Sequence, residues 1–162
     1  MSEDNVERNK RNFRRFQQEV VVGGDMSVVP ELIAPQMRLL RSGDDSFVRL
    51  GGGEVPQERV ITPDQFIRRY GEVIGKPKIH RRTIEAIHGE GDVIWARWKI
   101  EEEHDSDRYG VSPTGKLLTI DEAAMVRFDS QGRMIEGWFM QDPIEVLNQI
   151  GAKVTVEPGS EQ

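Results

Sequence analysis

Residues 117–152 of this chain read LLTIDEAAMVRFDSQGRMIEGWFMQDPIEVLNQIGA and decide the fold. Two apolar-rich segments, Leu117–Phe128 and Arg133–Met140, flank the turn residues DSQG, which predicts a β-hairpin. The second strand leads into a helix with Asp142 as its predicted N-cap, followed by proline and by glutamate at the third position. Gly151 is the predicted C-terminal stop. A hairpin that runs into a closing helix predicts a concave shell, and hence a pocket.

The composition limits the class of protein. The chain has 162 residues, of which 36% are hydrophobic and 31% charged, as expected for one globular domain. Its formal net charge is −6 and no long basic block occurs, which argues against nucleic acid as a partner. The absence of cysteine excludes disulfides, zinc–thiolate sites and cysteine nucleophiles. No apolar run could span a bilayer and the charged N-terminus does not resemble a signal peptide, so we expect a cytoplasmic protein without a membrane partner.

Helix signals dominate the N-terminal half. Apolar residues at helical spacing predict a first helix over residues 5–22, ended by glycines. Ser27 can cap a short second helix that runs through Ile33, and Met37–Arg41 is a candidate short strand. A third helix begins at the capping sequence TPDQ with Thr62 as N-cap, and the residues GKP at 75–77 are its predicted end.

The segment from Ser42 to Val60 is rich in glycine and aspartate and is predicted to be irregular. Its three consecutive glycines, Gly51–Gly53, are not followed by the lysine and the serine or threonine that a phosphate-binding loop needs. We therefore interpret this segment as a loop that covers the mouth of a pocket.

The C-terminal half carries strand signals. Alternating patterns predict strands over Lys78–His88 and Val93–Glu102, and a polar connection then leads to the hairpin. Helices followed by antiparallel strands predict an α+β fold with the sheet wrapped around the long first helix. We expect one domain over residues 5–152 and a loose tail over residues 153–162.

A series of short motifs connects these elements, and it resembles one known family. The series comprises Gly91-Asp92 before a strand with Trp95, Arg97 and Trp98; His104; PTGK at 113–116; Arg127-Phe128; GRMIExW at 132–138; Asp142; and LxQIG at 147–151. It is similar to the SnoaL-like polyketide cyclases, also called ester cyclases. They belong to the cone-shaped superfamily that includes nuclear transport factor two, ketosteroid isomerase and scytalone dehydratase. The resemblance covers roughly residues 5–152.

The resemblance implies an α+β cone-shaped barrel, in which a curved, mixed and mostly antiparallel sheet packs on three N-terminal helices and a short C-terminal helix. It also implies a deep apolar pocket for a small hydrophobic carbonyl compound, and a homodimer formed through the outer face of the sheet. In this family, ring closure proceeds without metal or cofactor, with an aspartate on the last strand and a histidine on the preceding one. Phe139 and Ala124 stand at those two positions here, so the sequence departs from the family at both.

Strand alternation leaves one acidic residue for the pocket. If Phe139 and Ala124 face the cavity, Glu122 faces it too and is a candidate general acid/base in an apolar environment. Alternatively, Glu122 lies at the open end of the strand, solvated or paired with Arg97 or Lys99. The expected pocket lining comprises Phe16, Tyr70, Trp98, Ala124, Val126, Gly137 and Phe139.

Two further residues are candidates for catalysis beside Glu122. Arg97 and Trp98 are adjacent and must face opposite sides of the sheet. Arg97 would anchor a carbonyl oxygen or an anion if it faced inward, and would form an interface ion pair if it faced outward. His104 lies at a strand end near the expected rim, where it is either an acid/base or a solvated loop histidine.

The opposite face of the sheet is expected to carry the homodimer interface, formed by Trp95, Glu136 and Trp138. No cluster with the spacing of a metal site occurs in the sequence, so we expect neither metal nor cofactor. Two functional hypotheses follow. One is a cofactor-independent enzyme of the cyclase, isomerase or dehydratase type, and the other is a ligand-binding or dimerisation module without the acid/base pair.

Overall fold

The protein has the α+β architecture that the sequence predicts. The computed structural model describes residues 3–50, 54–55, 59–71 and 79–155. The helices are α1 (Glu3–Arg15), α2 (Val29–Leu32), α3 (Ser42–Leu50), α4 (Pro63–Tyr70) and α5 (Pro143–Ile150), with a π-helical segment at Phe16–Val22 and a 3₁₀ turn at Met26–Val28. The strands are β1 (Ile33–Arg41), β2 (Val60–Ile61), β3 (Ile79–Glu90), β4 (Val93–Glu103), β5 (Leu117–Phe128) and β6 (Met134–Gln141).

The six strands form one curved, open sheet in the order β2-β1-β6-β5-β4-β3. Strands β1 and β6 pair in parallel, and the other neighbours pair antiparallel, which confirms a mixed and mostly antiparallel sheet. The hairpin β5–β6 and helix α5 confirm the prediction made from residues 117–152. Asp142 caps α5 by accepting from the backbone N–H groups of Ile144 and Glu145, and Gly151 ends it in the left-handed conformation.

The first helix continues into a π-helix, which the sequence did not predict. Its wider turn places residues four and five apart on one side, so Phe16, Gln17, Val20 and Val21 all lie buried. The polar Gln17 therefore lies in the protein interior together with three apolar side chains.

The segment after the first helix differs from the prediction. Ser27 does not cap α2, whose N-cap is Val28 without a side-chain hydrogen bond. Asp25 caps the preceding 3₁₀ turn, because its carboxylate accepts from both the N–H and the hydroxyl of Ser27. Helix α2 ends at Leu32, and β1 begins at Ile33 instead of Met37. The strand accommodates Pro35 because its pairing with β6 is irregular between Ile33 and Arg38.

The prediction of an irregular segment from Ser42 to Val60 was wrong for its first half, because Ser42–Leu50 forms α3. Asp44 and Asp45, which read as turn residues, lie in the first turn of this helix, where carboxylates are favourable. Residues 51–53 and 56–58, including the three glycines, lie outside the described part of the chain. So does the predicted end of the third helix at residues 75–77, although α4 has the predicted capping box at Thr62.

The core lies between the inner face of the sheet and the first helix. Ile94, Ala96, Trp98 and Ile100 are buried on β4, as the alternation predicted. The ring of Trp98 is fully buried and packs against Phe13, with ring centroids 5.5 Å apart. This packing determines which side chains of each strand can reach the interior.

Candidate active site

A cavity of about 220 Å³ lies between the inner face of the sheet, the π-helical segment and α4. Most of its wall is apolar and comprises Phe16, Val21, Met37, Leu39, Phe66, Tyr70, Ile79 and Phe139. One end is polar and comprises Gln17, Arg41, Arg82, Glu102 and Glu122. An apolar cavity with a few convergent polar groups has the usual composition of a small-molecule site.

Glu122 faces this cavity from β5, and its side chain is only 4% exposed. Arg41 Nη2 donates to its Oε1 across 3.3 Å, and Arg82 Nη1 lies 3.7 Å from its Oε2. The carboxylate is therefore inside the protein and between two guanidinium groups. The alternative of a solvated Glu122, or one paired with Arg97 or Lys99, is wrong.

Arg41 connects Glu122 to the start of α3. Its Nε donates to Asp44 across 2.9 Å. Burial alone would lower the pKa of Arg41, but the charges of Glu122 and Asp44 outweigh this effect and raise it. Burial conversely favours a higher pKa for Asp44, and the Arg41 charge together with hydrogen bonds from Tyr109 and Gln141 lowers it. Both groups of this pair are therefore ionised.

Arg82 reaches the same carboxylate from β3. Its Nη1 donates to Gln17 Oε1 across 2.5 Å, which connects the strand to the π-helical segment. Burial lowers the pKa of Arg82, an effect that the charges of Glu122 and Glu102 partly offset. Gln17 Nε2 and Arg82 Nε are buried and have no hydrogen-bond partner within the described residues.

The connection between β4 and β5 closes the polar end. Arg108 forms an ion pair with Glu102, and the Tyr109 hydroxyl donates to Asp44 across 2.7 Å. Gln141 Nε2 donates to both the carboxylate of Asp44 and the oxygen of Tyr109. Burial and the hydrogen bond to Asp44 raise the pKa of Tyr109, so this hydroxyl remains a donor at neutral pH.

Arg97 does not belong to the cavity, and the expectation of a catalytic Arg97 was wrong in this respect. Its side chain is 60% exposed and pairs with Glu85, with Nη2 and Oε2 2.6 Å apart. Trp98, its neighbour, takes the inner side of the strand. Arg41 and Arg82 occupy the place beside Glu122 that was expected for Arg97.

His104 lies apart from the residues that line the cavity, although it is 3% exposed and is therefore not a solvated loop histidine. Its Nδ1 lies 2.9 Å from the Thr114 hydroxyl oxygen and 3.2 Å from the Thr114 backbone nitrogen. Its Nε2 has no partner within the described part of the chain. The structure thus does not bring His104 to Glu122.

The expected lining residues divide into two groups. Phe16, Tyr70 and Phe139 line the cavity. Trp98, Ala124, Val126 and Gly137 are buried on the same side of the sheet but lie in the core beneath the wall. The bulk of Phe139 accounts for part of this difference, because its ring lies over Gly137.

Sequence reasoning missed Gln17, Arg41, Arg82 and Glu102. The alternation of β4 extends to Glu102, which could have been found from the period-two pattern. No comparable signal exists for Arg82, because the pairing of β3 with β4 shifts between Ile79 and Arg81.

The outer face of the sheet carries the three residues expected at a dimer interface. Trp95 is 55% exposed, and its ring centroid lies 6.3 Å from that of Trp138. The Trp138 indole N–H donates to Ser42 Oγ across 2.6 Å. Glu136 lies near Arg38, with 3.9 Å between the charged atoms.

The described residues also bear on metal binding and on membrane insertion. Residues 3–50, 54–55, 59–71 and 79–155 contain no group of three or more histidine, aspartate or glutamate side chains that could hold a metal ion. None of the helices in these ranges is long and apolar enough to cross a membrane.

The curved sheet packed on helices is the cone fold of the proteins related to nuclear transport factor two. An NTF2-like protein from Burkholderia pseudomallei matches 94% of this chain and 100% of its own, with a TM-score of 0.60 at 19% identity. The model of the SnoaL-like polyketide cyclase family matches residues 53–150, and this chain therefore belongs to that family.

Two solved structures of proposed polyketide cyclases share the fold. A proposed SnoaL-like polyketide cyclase from Jannaschia sp. CCS1 has a TM-score of 0.72 at 18% identity, over 95% of this chain and 99% of its own. IdmH from Streptomyces antibioticus, a proposed polyketide cyclase, has a TM-score of 0.67 at 22% identity, over 89% of this chain and 99% of its own. No protein with a curated description matches the chain significantly.

Proposed function

We propose that this protein is a cofactor-independent enzyme of the cyclase, isomerase or dehydratase type. It binds a small hydrophobic carbonyl compound in the cavity, and Glu122 transfers a proton to or from the carbon beside the carbonyl group. Membership of the SnoaL-like family supports the class of reaction. We assign the proton transfer to Glu122 because Phe139 and Ala124 stand where the family has its catalytic aspartate and histidine.

One observation carries the proposal. Glu122 is a buried carboxylate at the polar end of a cavity whose other walls are mainly apolar. Burying a carboxylate is costly, and here two arginines offset the cost. A fold that needed only stability could fill this place with an apolar side chain. A carboxylate beside a cavity can instead accept a proton from a bound molecule, which is the task of a general base.

The test uses a neutral bicyclic ketone, α-tetralone, as the probe. Exchange of its α-hydrogens with D₂O, followed by NMR, is expected to exceed the buffer rate in the presence of the protein. Glu122→Gln keeps the shape and removes the base, so the excess rate should fall by about 10²–10⁴-fold. Asp121→Asn, on the exposed side of the same strand, is the matched control. Equal exchange by wild type and Glu122→Gln would refute the role of Glu122.

A second function has specific support. Neither Phe139 nor Ala124 can transfer a proton, and both arginines beside Glu122 already pair with carboxylates. These features favour a binding or dimerisation module that retains the cavity without turnover. Saturable binding of α-tetralone without any excess exchange would select this alternative.

The assembly and location of the protein are also proposals. We propose a homodimer formed through Trp95, Glu136 and Trp138, because two tryptophans and a carboxylate lie together on the outer face of the sheet. A cytoplasmic location fits the cysteine-free sequence. Neither nucleic acid nor membrane is expected as a partner, given the net charge of −6.

A further inference from the structure

The polar end of the cavity contains two donors that the described residues do not use. Gln17 is 1% exposed, and its Oε1 accepts from Arg82 Nη1, which fixes the orientation of the amide and makes Nε2 a donor. Gln17 Nε2 and Arg82 Nε both have no acceptor within the described part of the chain. Buried donors without acceptors are unfavourable. A ligand oxygen held between these two side chains would supply the missing acceptor.

The charges at this end of the cavity balance. Three arginines, Arg41, Arg82 and Arg108, are in contact with three carboxylates, Asp44, Glu102 and Glu122. An anionic ligand would add a buried charge without a counter-charge, which is costly in a low-dielectric site. A neutral ligand leaves the balance unchanged, so the site favours a neutral molecule.

Proton transfer to Glu122 would preserve this balance. When the carboxylate removes the α-proton of a ketone, the C–H bond breaks and an O–H bond forms on Glu122. The electron pair of the broken bond forms a C=C double bond, and the π pair of the C=O bond moves to the oxygen, which gives an enolate. The negative charge thus moves from Glu122 to the ligand oxygen and remains near Arg82, which lies 3.7 Å from the carboxylate. The return step delivers the same proton from Glu122 to a carbon of the enolate.

Resting on the function proposed above, we propose that Arg82, held in place by Gln17, stabilises the oxyanion of the reaction. The substrate is then a neutral carbonyl compound with an ionisable α C–H bond. Donors fixed in advance around a developing oxyanion are an effective source of catalysis, because they need no reorganisation as the charge forms. Gln17 has two roles in this arrangement: its Oε1 holds Arg82 in place, and its Nε2 is a second donor to the same ligand oxygen.

The test uses 2-naphthol, a neutral bicyclic phenol whose ionised oxygen resembles an enolate oxygen. Glu122→Gln imitates the protonated glutamic acid and leaves one uncompensated arginine. Naphthol bound to this variant is expected to ionise about 1–3 pH units lower than free naphthol, because an opposite charge within about 4–6 Å favours the ionised form. The absorbance of the naphtholate reports the ionised fraction directly.

Replacing Arg82 provides the comparison. The double variant Glu122→Gln/Arg82→Met should lose most of this shift, and Glu122→Gln/Arg127→Met, altered on the outer face, should keep it. A shift that persists without Arg82 would overturn the inference, as would the absence of naphthol binding to Glu122→Gln. If the Arg82 variant does not fold, Glu122→Gln/Gln17→Leu decides, and an unchanged shift there counts against the inference.

Two outcomes separate this inference from the proposed function. Exchange of α-tetralone hydrogens by wild type, together with a naphthol shift independent of Arg82, would refute only the role of Arg82. A shift that depends on Arg82 without any ketone exchange would refute the proposed enzymatic function and keep the oxyanion site.

The preference for neutral ligands has its own test. Wild type should bind 2-naphthol at least about tenfold more tightly than 2-naphthoate, a difference of about 1.4 kcal/mol. Equal affinity would contradict it.

Discussion

The ring of Phe139 lies directly over the backbone of Gly137, two residues earlier on β6. A methyl group at Gly137 would lie 2.6 Å from Phe139 Cε2 and 2.8 Å from Met37 Cε. Both neighbours belong to the cavity wall. The missing side chain at Gly137 therefore lets Phe139 cover the sheet and form the floor of the cavity.

Replacing this glycine should destabilise the protein and disturb the cavity. Gly137→Ala is expected to lower the free energy of unfolding by about 1–3 kcal/mol, because the added methyl group overpacks the core. Displacement of the Phe139 ring should also weaken binding of 2-naphthol. Urea unfolding and naphthol titration measure the two effects, with the exposed Thr83→Ala as control. A variant as stable as wild type, with unchanged affinity, would show that Phe139 is not held by this contact.

The arrangement of Glu122 and Arg82 predicts strong coupling between their substitutions. Glu122→Gln should lower the free energy of unfolding by about 3 kcal/mol, because it leaves one buried arginine without a counter-charge. Adding Arg82→Met should recover part of this loss, since it restores the charge balance. The coupling energy from a double-mutant cycle measured by urea unfolding is expected to lie near the upper part of the usual range of about 0.5–3 kcal/mol.

The exposed pair Lys99–Asp121, with 3.1 Å between its charged atoms, is the matched control for this cycle. Its double-mutant cycle should show little or no coupling, because both side chains are in contact with solvent. Additive effects of Glu122→Gln and Arg82→Met would mean that the two groups do not interact in solution.

Asp44 should contribute to the pH dependence of stability. Burial raises its pKa, but the Arg41 charge and hydrogen bonds from Tyr109 and Gln141 outweigh this effect, so its pKa in the folded protein is below the ordinary value of 3.8. A group with a lowered folded pKa stabilises the protein above its unfolded pKa, and this contribution is lost as the pH falls towards the folded value. We therefore expect stability to decline below about pH 4 partly because of Asp44.

Asp44→Asn tests this expectation, since asparagine keeps the size and can still accept hydrogen bonds. Its free energy of unfolding should be lower than that of wild type at neutral pH, and the difference should narrow below about pH 4. Urea unfolding at a series of pH values measures the two curves, with the exposed Asp121→Asn as control. Parallel curves for wild type and Asp44→Asn would contradict the assignment.

The sequence predicted those parts of the site that depend on local, regular patterns. Strict alternation along β5 placed Glu122 and Ala124 on one side of the sheet, and both are buried there. The turn DSQG and the capping residue Asp142 determined the hairpin and α5, because turns and caps are local. The orientation of Arg97 remained open. Alternation predicts that Arg97 and Trp98 face opposite sides of the sheet, but it does not predict which of the two sides faces the core.

The missed residues depend on irregularities and on long side chains. Arg82 faces inward after a shift in the pairing of β3 with β4, and Gln17 is a polar residue on the buried side of the π-helical segment. Arg41 contacts Glu122 although the two residues are 81 positions apart in the sequence. Helix α3 was missed because its first turn contains Asp44 and Asp45, which are typical of turns as well as of helix starts.

The outer face of the sheet carries an exposed aromatic surface. Trp95 is more than half exposed and stacks edge-on with Trp138, so two large aromatic side chains form one apolar surface opposite the cavity. If this surface joins two copies of the chain, each tryptophan is buried on association, and aromatic residues contribute strongly to such interfaces. Trp138→Ala is therefore expected to weaken the homodimer by at least about tenfold in Kd, which corresponds to about 1.4 kcal/mol.

Sedimentation velocity over a range of protein concentrations measures the dissociation constant. Arg97→Met, on the same face, is informative in two ways. It should leave α-tetralone exchange unchanged, because the Arg97 side chain points away from the cavity and pairs with Glu85. It should also weaken the dimer less than Trp138→Ala, since an exposed ion pair contributes little. A Trp138→Ala variant that remains dimeric at low micromolar concentration would exclude this face as the interface, and a monomeric wild type would exclude the dimer itself.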